Sequence, residues 1–208
     1  MAIERRALIG LIVAFTASIV AFPMFPPDIP PQVGRDGVFI GAPFVAFLLP
    51  VAAMAVWWIV ANLSRHPPRA TLRPTNAGAA TALFLSAFHV TMLMAFIGGQ
   101  PWLVRMLGVL VGVFMIATGN DLPRVRPNLA WGVRMRQTLT SDRLWRRVHR
   151  LAGFIRVAMG IVVCAVSLSG ASGVTNVIVL AVCIETVACV GACVLLGRRQ
   201  DADFGVQC

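Results

Sequence analysis

Charged residues are scarce in this chain, and lysine is absent altogether. Of 208 residues only 12% are charged, 58% are hydrophobic and the mean hydropathy is +0.82. So little polar material cannot cover a soluble globule of this size, which excludes that class and predicts a membrane protein. Because lysine is missing, the net charge of +10 rests on 18 arginines.

Several familiar chemical signatures are missing as well. The chain has no CxxC pair, no zinc-ligand spacing and no glycine-rich phosphate loop, so we expect no metal and no other cofactor. Its five cysteines give no disulfide framework, since four lie in apolar runs and the fifth is Cys208. Cys189 and Cys193 stand four apart on one helical face with no histidine nearby, and we interpret them as small apolar filler.

Six apolar runs have about the length that a bilayer crossing requires, roughly 17 to 25 residues of helix. They cover residues 7–22, 44–63, 79–98, 101–118, 154–171 and 174–196. The first run has no convincing cleavage site and Pro23 follows it at once, so we interpret it as a helix rather than a signal peptide. The predicted fold is all-α, a polytopic membrane protein with six transmembrane helices.

Arginine is distributed unevenly among the connections. It occurs in the N-terminal tail (Arg5, Arg6), the second connection (Arg65, Arg69, Arg73), the fourth connection (eight arginines) and the C-terminal tail (Arg198, Arg199), whereas the alternate connections hold Arg35 alone. Short cytoplasmic loops collect Lys and Arg, so both termini are predicted to be cytoplasmic, with residues 23–43 outside. Topology thus explains the positive charge, and nucleic acid is not an expected partner.

The fourth connection, residues 119–153, gathers eight of the 18 arginines, and we call it the motif segment. Its first part, GNDLPRVRPN, mixes Pro, Asn and Gly with cations and predicts an irregular path rather than a helix. Thr140 or Ser141 is expected to cap a helix that runs into the fifth crossing. Its apolar face comprises Leu144, Trp145, Val148, Leu151, Ala152 and Ile155, and its other face Arg143, Arg146, Arg147 and Arg150. This pattern is typical of an interfacial amphipathic helix.

Two ionisable residues fall near the middle of predicted crossings, His89 in the third and Glu185 in the sixth. Glu185 belongs to a stripe of small residues (Ala181, Ala188, Cys189 and Ala192), which predicts that it faces another helix. With His89 or an arginine as partner, it either lines a proton or ligand site or acts as a structural polar clamp.

Arginine and glycine share helical stripes on two other predicted crossings. Arg105 precedes Gly108, Gly112 and Gly119 on the fourth, and Arg156 precedes Gly160 on the fifth. These stripes predict two buried seams between helices. Both arginines lie close to the ends of their runs, where a long side chain can extend to the interface without any further role.

The motif segment carries a longer pattern: G-N-x-L-P-x-x-x-P-N, then G-x-R, T-L and W-x-x-x-H-R-x-x-G. It resembles the signature of the SdpI family, immunity proteins against a sporulation-delaying toxin. Fourteen positions match: Gly119, Asn120, Leu122, Pro123, Pro127, Asn128, Gly132, Arg134, Thr138, Leu139, Trp145, His149, Arg150 and Gly153. The run from Phe25 to Pro50 loosely resembles the two-helix unit that often precedes this domain, without its histidine. Met135, Arg136 and Gln137 replace the T-P-W common in the family.

The resemblance implies a domain organisation. Residues 1–63 would form the N-terminal two-helix unit with its external loop 23–43, residues 64–78 a cytoplasmic linker, residues 79–196 a four-helix SdpI-like domain and residues 197–208 a cytoplasmic tail. The implied site residues of the motif segment are Asn120, Pro123, Pro127, Asn128, Gly132, Arg134, Trp145, His149 and Arg150.

The resemblance also implies a function: a non-enzymatic membrane protein that protects its own cell from a secreted toxic peptide. The expected partners are membrane lipid, the toxin on the outer face, and a cytoplasmic repressor held at the membrane by the arginine-rich segment.

Two alternatives stay open. One is a small ion-coupled transporter that uses Glu185 and His89, for which internal repeats with interrupted helices would be expected. The other is a membrane enzyme acting on a lipid headgroup. Its polar centre would comprise Asn120, Asn128, Arg134, His149 and Arg150. His149 itself either takes part in function or only hydrogen-bonds its own loop.

Overall fold

The fold is helical. The computed structural model describes residues 2–24, 32–33, 39–40, 42–65, 75–98, 101–127, 132–170 and 173–205. Within them lie seven α-helices: α1 (Ala2–Ala21), α2 (Ala42–Arg65), α3 (Thr75–Gly98), α4 (Pro101–Asp121), α5 (Arg136–Thr140), α6 (Asp142–Ser169) and α7 (Val174–Gly205). Two strands of two residues each, β1 (Gln32–Val33) and β2 (Phe39–Ile40), pair antiparallel with Gln32 opposite Ile40. The all-α prediction is confirmed.

The helices follow the apolar runs. Five stretches of the described chain are long and apolar enough to cross a membrane: Arg5–Met24, Gly78–Ala95, Trp102–Arg124, Asp142–Ser169 and Val174–Leu196. The remaining predicted run, residues 44–63, lies in α2, whose described apolar stretch is the shorter Ala46–Ile59. Large apolar side chains cover the helix surfaces, with Val187 72% and Phe154 70% exposed. Such surfaces suit a hydrocarbon solvent.

The chain divides into two compact units. The first comprises Met1–Asn62 and Thr75–Leu110. In it α1 packs along α3, and Gly10 of α1 approaches the side chains of Leu83 and Ser86. Ala7, Ala79 and Ala82 form one buried cluster, and Ala21, Ala46 and Leu93 form another. Alanine and glycine dominate these contacts because small side chains let helices approach closely in a membrane.

The second unit comprises Leu63–Pro74 and Val111–Cys208. Its core lies between the end of α4, α6 and α7, in three buried clusters along α6. These are Met115 with Val163 and Ala181, Leu122 with Ala152 and Cys189, and Leu144 with Val148 and Cys193. The two cysteines are buried in apolar surroundings, as predicted.

Two glycine pairs set the spacing of α4 and α6. A Cβ added to Gly112 would come within 2.7 Å of the Gly160 carbonyl oxygen, and one added to Gly160 within 2.7 Å of the Gly112 oxygen. At the second glycine pair, a Cβ added to Gly153 would come within 2.6 Å of the Gly119 carbonyl oxygen. Both pairs bring backbone against backbone, which confirms a buried seam along the predicted glycine stripes.

The motif segment departs from its predicted path at its beginning. Gly119 and Asn120 were expected to be irregular, but α4 continues to Asp121 and a 3-10 turn follows at Leu122–Arg124. The prediction is wrong there because Pro123 ends the helix only after one more turn, and Gly and Asn are tolerated in a last turn.

Some predicted features lie outside the described residues. They are Asn128, most of the external loop and of the linker, and the last residues of the tail. The predicted domain limits stay a prediction.

Gly160→Ala should destabilise the protein by about 1–3 kcal/mol, because the new methyl group meets the Gly112 backbone, which cannot move aside as a side chain can. The matched control is Gly191→Ala in α7, where an added Cβ meets nothing within 4 Å. That change should be neutral or gain up to about 1 kcal/mol of helix propensity. Thermal unfolding of the purified protein in detergent measures both. Equal melting temperatures for the two variants would contradict the close contact.

Candidate functional site

The motif segment folds back on the first turns of α6. The described chain runs from the 3-10 turn to Pro127 and resumes at Gly132. It then forms the short helix α5 and begins α6. Ser141 caps α6, since its side-chain oxygen accepts the Leu144 N–H at 3.3 Å. This confirms one of the two predicted caps. Leu144, Trp145, Val148 and Ala152 are buried as predicted, whereas Leu151 is 41% exposed.

Trp145 joins α6 to the chain that leaves α4. Its indole Nε1–H donates to the carbonyl oxygen of Val125 at 2.7 Å, across 20 positions of sequence. The side chain is fully buried, and its ring stacks on that of His149 with centroids 3.9 Å apart and planes inclined by 19°. A buried indole requires such a partner for its N–H. Trp145 therefore acts as the anchor of the segment's first half.

His149 joins α6 to the chain that enters α5. Its Nε2 accepts the backbone N–H of Val133 at 2.9 Å, while its Nδ1 lies 2.9 Å from the Trp145 carbonyl oxygen. An N–H can be accepted only by an unprotonated ring nitrogen, and a carbonyl oxygen only accepts. The ring is therefore neutral with its proton on Nδ1, and both nitrogens are engaged.

Gly132 is required by this arrangement. Its φ of +109° lies where side chains are rarely tolerated, and a Cβ there would overlap His149 Nε2. Glycine thus leaves room for the imidazole beside the Val133 N–H.

Thr138 closes the turn before α5. Its hydroxyl oxygen accepts the Met135 N–H at 3.0 Å and donates to a carbonyl oxygen, with Met135 at 2.8 Å and Val133 at 2.9 Å. The side chain is fully buried. Thr138 belongs to the matched motif but was not among the predicted site residues. Its position in the motif, between Gly132 and His149, was the sequence signal that could have identified it as a site residue.

The outer face of the segment is cationic. Asn120, Pro123, Arg134 and Arg150 are exposed, and Pro127 is half-buried. Four exposed arginines of α6, namely Arg143, Arg146, Arg147 and Arg150, line a groove of about 400 Å³ together with Leu151 and Phe154. The motif residues therefore divide into an inner set that builds the fold and an outer set that meets the surroundings.

Glu185 faces α6, as its small-residue stripe predicted. Glu185 is buried, with 8% of the residue exposed, and its Oε1 lies 2.7 Å from Nε of Arg156. The Nε–H does not point at the oxygen, so the contact is an ion pair rather than a hydrogen bond. Of the partners considered for Glu185, Arg156 is the one that the structure brings to it. Arg105, in contrast, is exposed.

His89 lies in a separate polar cluster of the first unit. The ring is fully buried, and its Nε2 lies 2.8 Å from the hydroxyl of Ser18, which also reaches the Ala46 carbonyl oxygen at 2.7 Å. Sequence reasoning missed Ser18, although a serine within an apolar run was visible. Among the described atoms, His89 Nδ1 and the buried Ser86 hydroxyl have no hydrogen-bond partner.

No group of three His, Cys, Asp or Glu side chains suited to a metal occurs within the described ranges. His89 and His149 are each bonded within their own unit, and Cys189 and Cys193 pack in apolar clusters.

Comparison with known proteins agrees with the motif. Residues 124–195, from the 3-10 turn into α7, match the model of the SdpI/YfhL protein family. The chain resembles the SdpI family. Immunity protein SdpI of Bacillus subtilis (strain 168) is 22% identical over 171 residues, covering 78% of this chain and 82% of that protein. No solved structure matches the chain. The resemblance predicted from the motif is confirmed, and the SdpI match includes both Trp145 and His149.

Gly132→Ala should destabilise the second unit more than Gly173→Ala, by about 1–3 kcal/mol. Both glycines have positive φ, +109° and +94°, but an added Cβ at Gly173 meets only Asn176 at 3.9 Å. The control therefore carries the backbone strain alone, whereas Gly132→Ala also displaces His149 from the Val133 N–H. Thermal unfolding in detergent compares them. Equal losses would mean that the His149 bond does not exist.

Removing one member of the Arg156–Glu185 pair should be costlier than removing both. Glu185→Leu or Arg156→Leu leaves a half-buried charge without its partner and should cost about 3–5 kcal/mol. The double variant replaces the pair with apolar packing and should recover most of that loss. A double-mutant cycle on unfolding free energies measures the coupling, and simple additivity of the two single losses would show that the charges do not interact.

Proposed function

We propose that this protein is an integral membrane immunity protein that protects its own cell from a secreted toxic peptide. The relative named an immunity protein and the SdpI match support the role. In this proposal all six apolar runs cross a bacterial inner membrane, α2 included, and both termini are cytoplasmic. The apolar helices and the arginine distribution support that topology.

The observation that carries the proposal is the intact interior of the motif segment. Gly132, Thr138, Trp145 and His149 occupy matched motif positions, and each makes the contact that its residue type allows in one buried network. The network spans three separate stretches of chain. A pattern kept only by chance would not join its hydroxyl and its imidazole to the same residue, Val133, with the indole stacked on that imidazole.

The finer steps divide between the two faces of the membrane. We assign toxin contact to the outer loop, residues 23–43, and the adjoining helix ends. On the cytoplasmic face, exposed cations from the 3-10 turn to the start of α5 would hold an acidic soluble repressor at the membrane; they are Arg124, Arg126, Arg134 and Arg136. Charge complementarity gives such a contact its rate and its orientation.

The polar geometry favours immunity over the two alternatives. Glu185 is paired with Arg156 and is not a free carboxylate for ion coupling. His149 is buried with both ring nitrogens engaged, whereas a general base needs a free nitrogen within reach of substrate. Glu185, one of the two residues proposed for a transporter, and His149, one of the five proposed for an enzyme, are therefore both engaged in structural contacts.

Protection should depend on His149. We expect the wild type to raise survival of toxin-sensitive cells against one or more members of a panel of secreted peptides. His149→Ala should abolish protection, because the Val133 N–H loses its acceptor and the segment its link to α6. Colony counts measure survival, and membrane fractionation with immunoblotting confirms insertion.

His66→Ala is the matched histidine control, since His66 lies outside residues 124–195, which match the family model, and it should protect like the wild type. Absence of protection against every peptide by the wild type would overturn the immunity proposal. Full protection by an inserted His149→Ala protein would show that the network is dispensable.

A further inference from the structure

One face of α6 changes character from cationic to apolar along its length. Its arginines stand three and four apart, which places them on one side of the helix. They are Arg143, Arg146, Arg147 and Arg150, and Leu151 and Phe154 continue the same stripe. All six side chains are exposed and together line the groove of about 400 Å³. The groove is thus positive at its N-terminal end and apolar at the other.

The charge of this groove is uncompensated within the described part of the chain. None of the four arginines has a hydrogen bond or ion pair there, in contrast to Arg124 with Asp121 and Arg156 with Glu185. Asp142, the nearest carboxylate in sequence, does not line the groove. Like charges three and four apart destabilise a helix. An anion bound between them would relieve that repulsion.

The opposite side of the same helix turns is held rigidly. Leu144, Trp145, Val148 and His149 are buried, and two of them bond to distant backbone through Val125 and Val133. The helix that carries the arginines therefore cannot rotate or fray freely. A fixed backbone lowers the entropic cost of gathering several cations around one ligand.

The order of groups along the groove matches a phospholipid. Arg147 and Phe154 lie seven residues apart, about 10 Å along a helix axis. Phe154 begins the apolar run 154–171, so the cationic end lies at the membrane surface when α6 crosses the bilayer. Guanidinium groups bind phosphate oxygens in pairs, and exposed Leu and Phe side chains suit an acyl chain.

We infer that this groove binds an anionic glycerophospholipid, such as phosphatidylglycerol or cardiolipin. Its phosphate contacts the arginines, and its acyl chain packs on Leu151 and Phe154. A zwitterionic lipid is a poorer ligand, because its ammonium group meets four cations and no carboxylate. The inference rests on the membrane placement in the proposed function but not on immunity, and it gives the arginines of α6 a different partner from those of the turn.

Native mass spectrometry of the purified full-length protein in detergent tests the site with two lipids of equal acyl chains, phosphatidylglycerol and phosphatidylcholine. We expect the wild type to bind phosphatidylglycerol more tightly. Arg147→Gln/Arg150→Gln should weaken that binding by roughly 10- to 30-fold and leave phosphatidylcholine unchanged. Melting temperatures verify folding. Should the double variant misfold, Arg143→Gln alone should weaken phosphatidylglycerol binding in the same direction, by several fold.

The matched control is Arg5→Gln/Arg6→Gln, which removes the same charge from the exposed start of α1. It should retain the wild-type affinity and preference. Equal loss in the control and in the groove variant would overturn a specific site in favour of general surface charge. Equal affinity of the wild type for the two lipids would overturn the lipid inference and leave an acidic protein as the better occupant. Because lipid binding is measured on purified protein, its failure is distinct from a failure of protection in cells.

Discussion

The hydrogen bond from the Val133 N–H to His149 Nε2 is the constraint on which the motif segment depends. It can form only if the imidazole is neutral with its proton on Nδ1, and the Trp145 carbonyl oxygen holds the proton there. It also requires Gly132, since any Cβ at that position would occupy the place of the ring nitrogen. A backbone N–H buried without an acceptor would cost about 1–3 kcal/mol, so histidine stabilises the turn more than a merely apolar residue would.

The close contact of α4 with α6 supplies the platform for this network. Gly119 and Gly153 bring the two backbones together directly beside Pro123, where the chain turns away from α4. Trp145, two helix turns earlier on α6, then reaches the Val125 carbonyl oxygen. A larger residue at either glycine would separate the helices and lengthen that bond. The packing of α4 on α6 and the hydrogen bonds of the motif segment are therefore parts of one structure, and the arginines of α6 are held on its outer side.

Local patterns predicted much of this architecture. Apolar runs located six of the helices, and the choice of Thr140 or Ser141 as cap placed the start of α6 to within one residue. Three- and four-residue spacing separated the buried face of α6 from Arg143, Arg146, Arg147 and Arg150. The extension of α4 to Asp121 was missed because a Gly-Asn-Pro composition signals only that a helix ends nearby, not at which residue.

Local patterns could not predict which residues from distant parts of the chain contact one another. The stripe beside Glu185 showed that it faces a helix, but periodicity within α7 carries no information on which residue lies opposite, and Arg156 was found only in the fold. The Ser18–His89 contact and the Trp145–Val125 bond likewise join residues 71 and 20 positions apart. The motif indicated that His149 matters, whereas its role follows from the groups that surround it.

The protonation state of the His149 ring decides whether its hydrogen bond to the Val133 N–H exists. Nitrogen NMR of the protein labelled with ¹⁵N-histidine, assigned by comparison with a His66→Gln/His89→Gln background, reports which ring nitrogens carry protons. We expect a neutral ring at neutral pH with Nδ1 protonated and Nε2 accepting a hydrogen bond. A proton on Nε2, in either the other neutral tautomer or the imidazolium form, would contradict the bond to Val133 and with it the account of the motif segment.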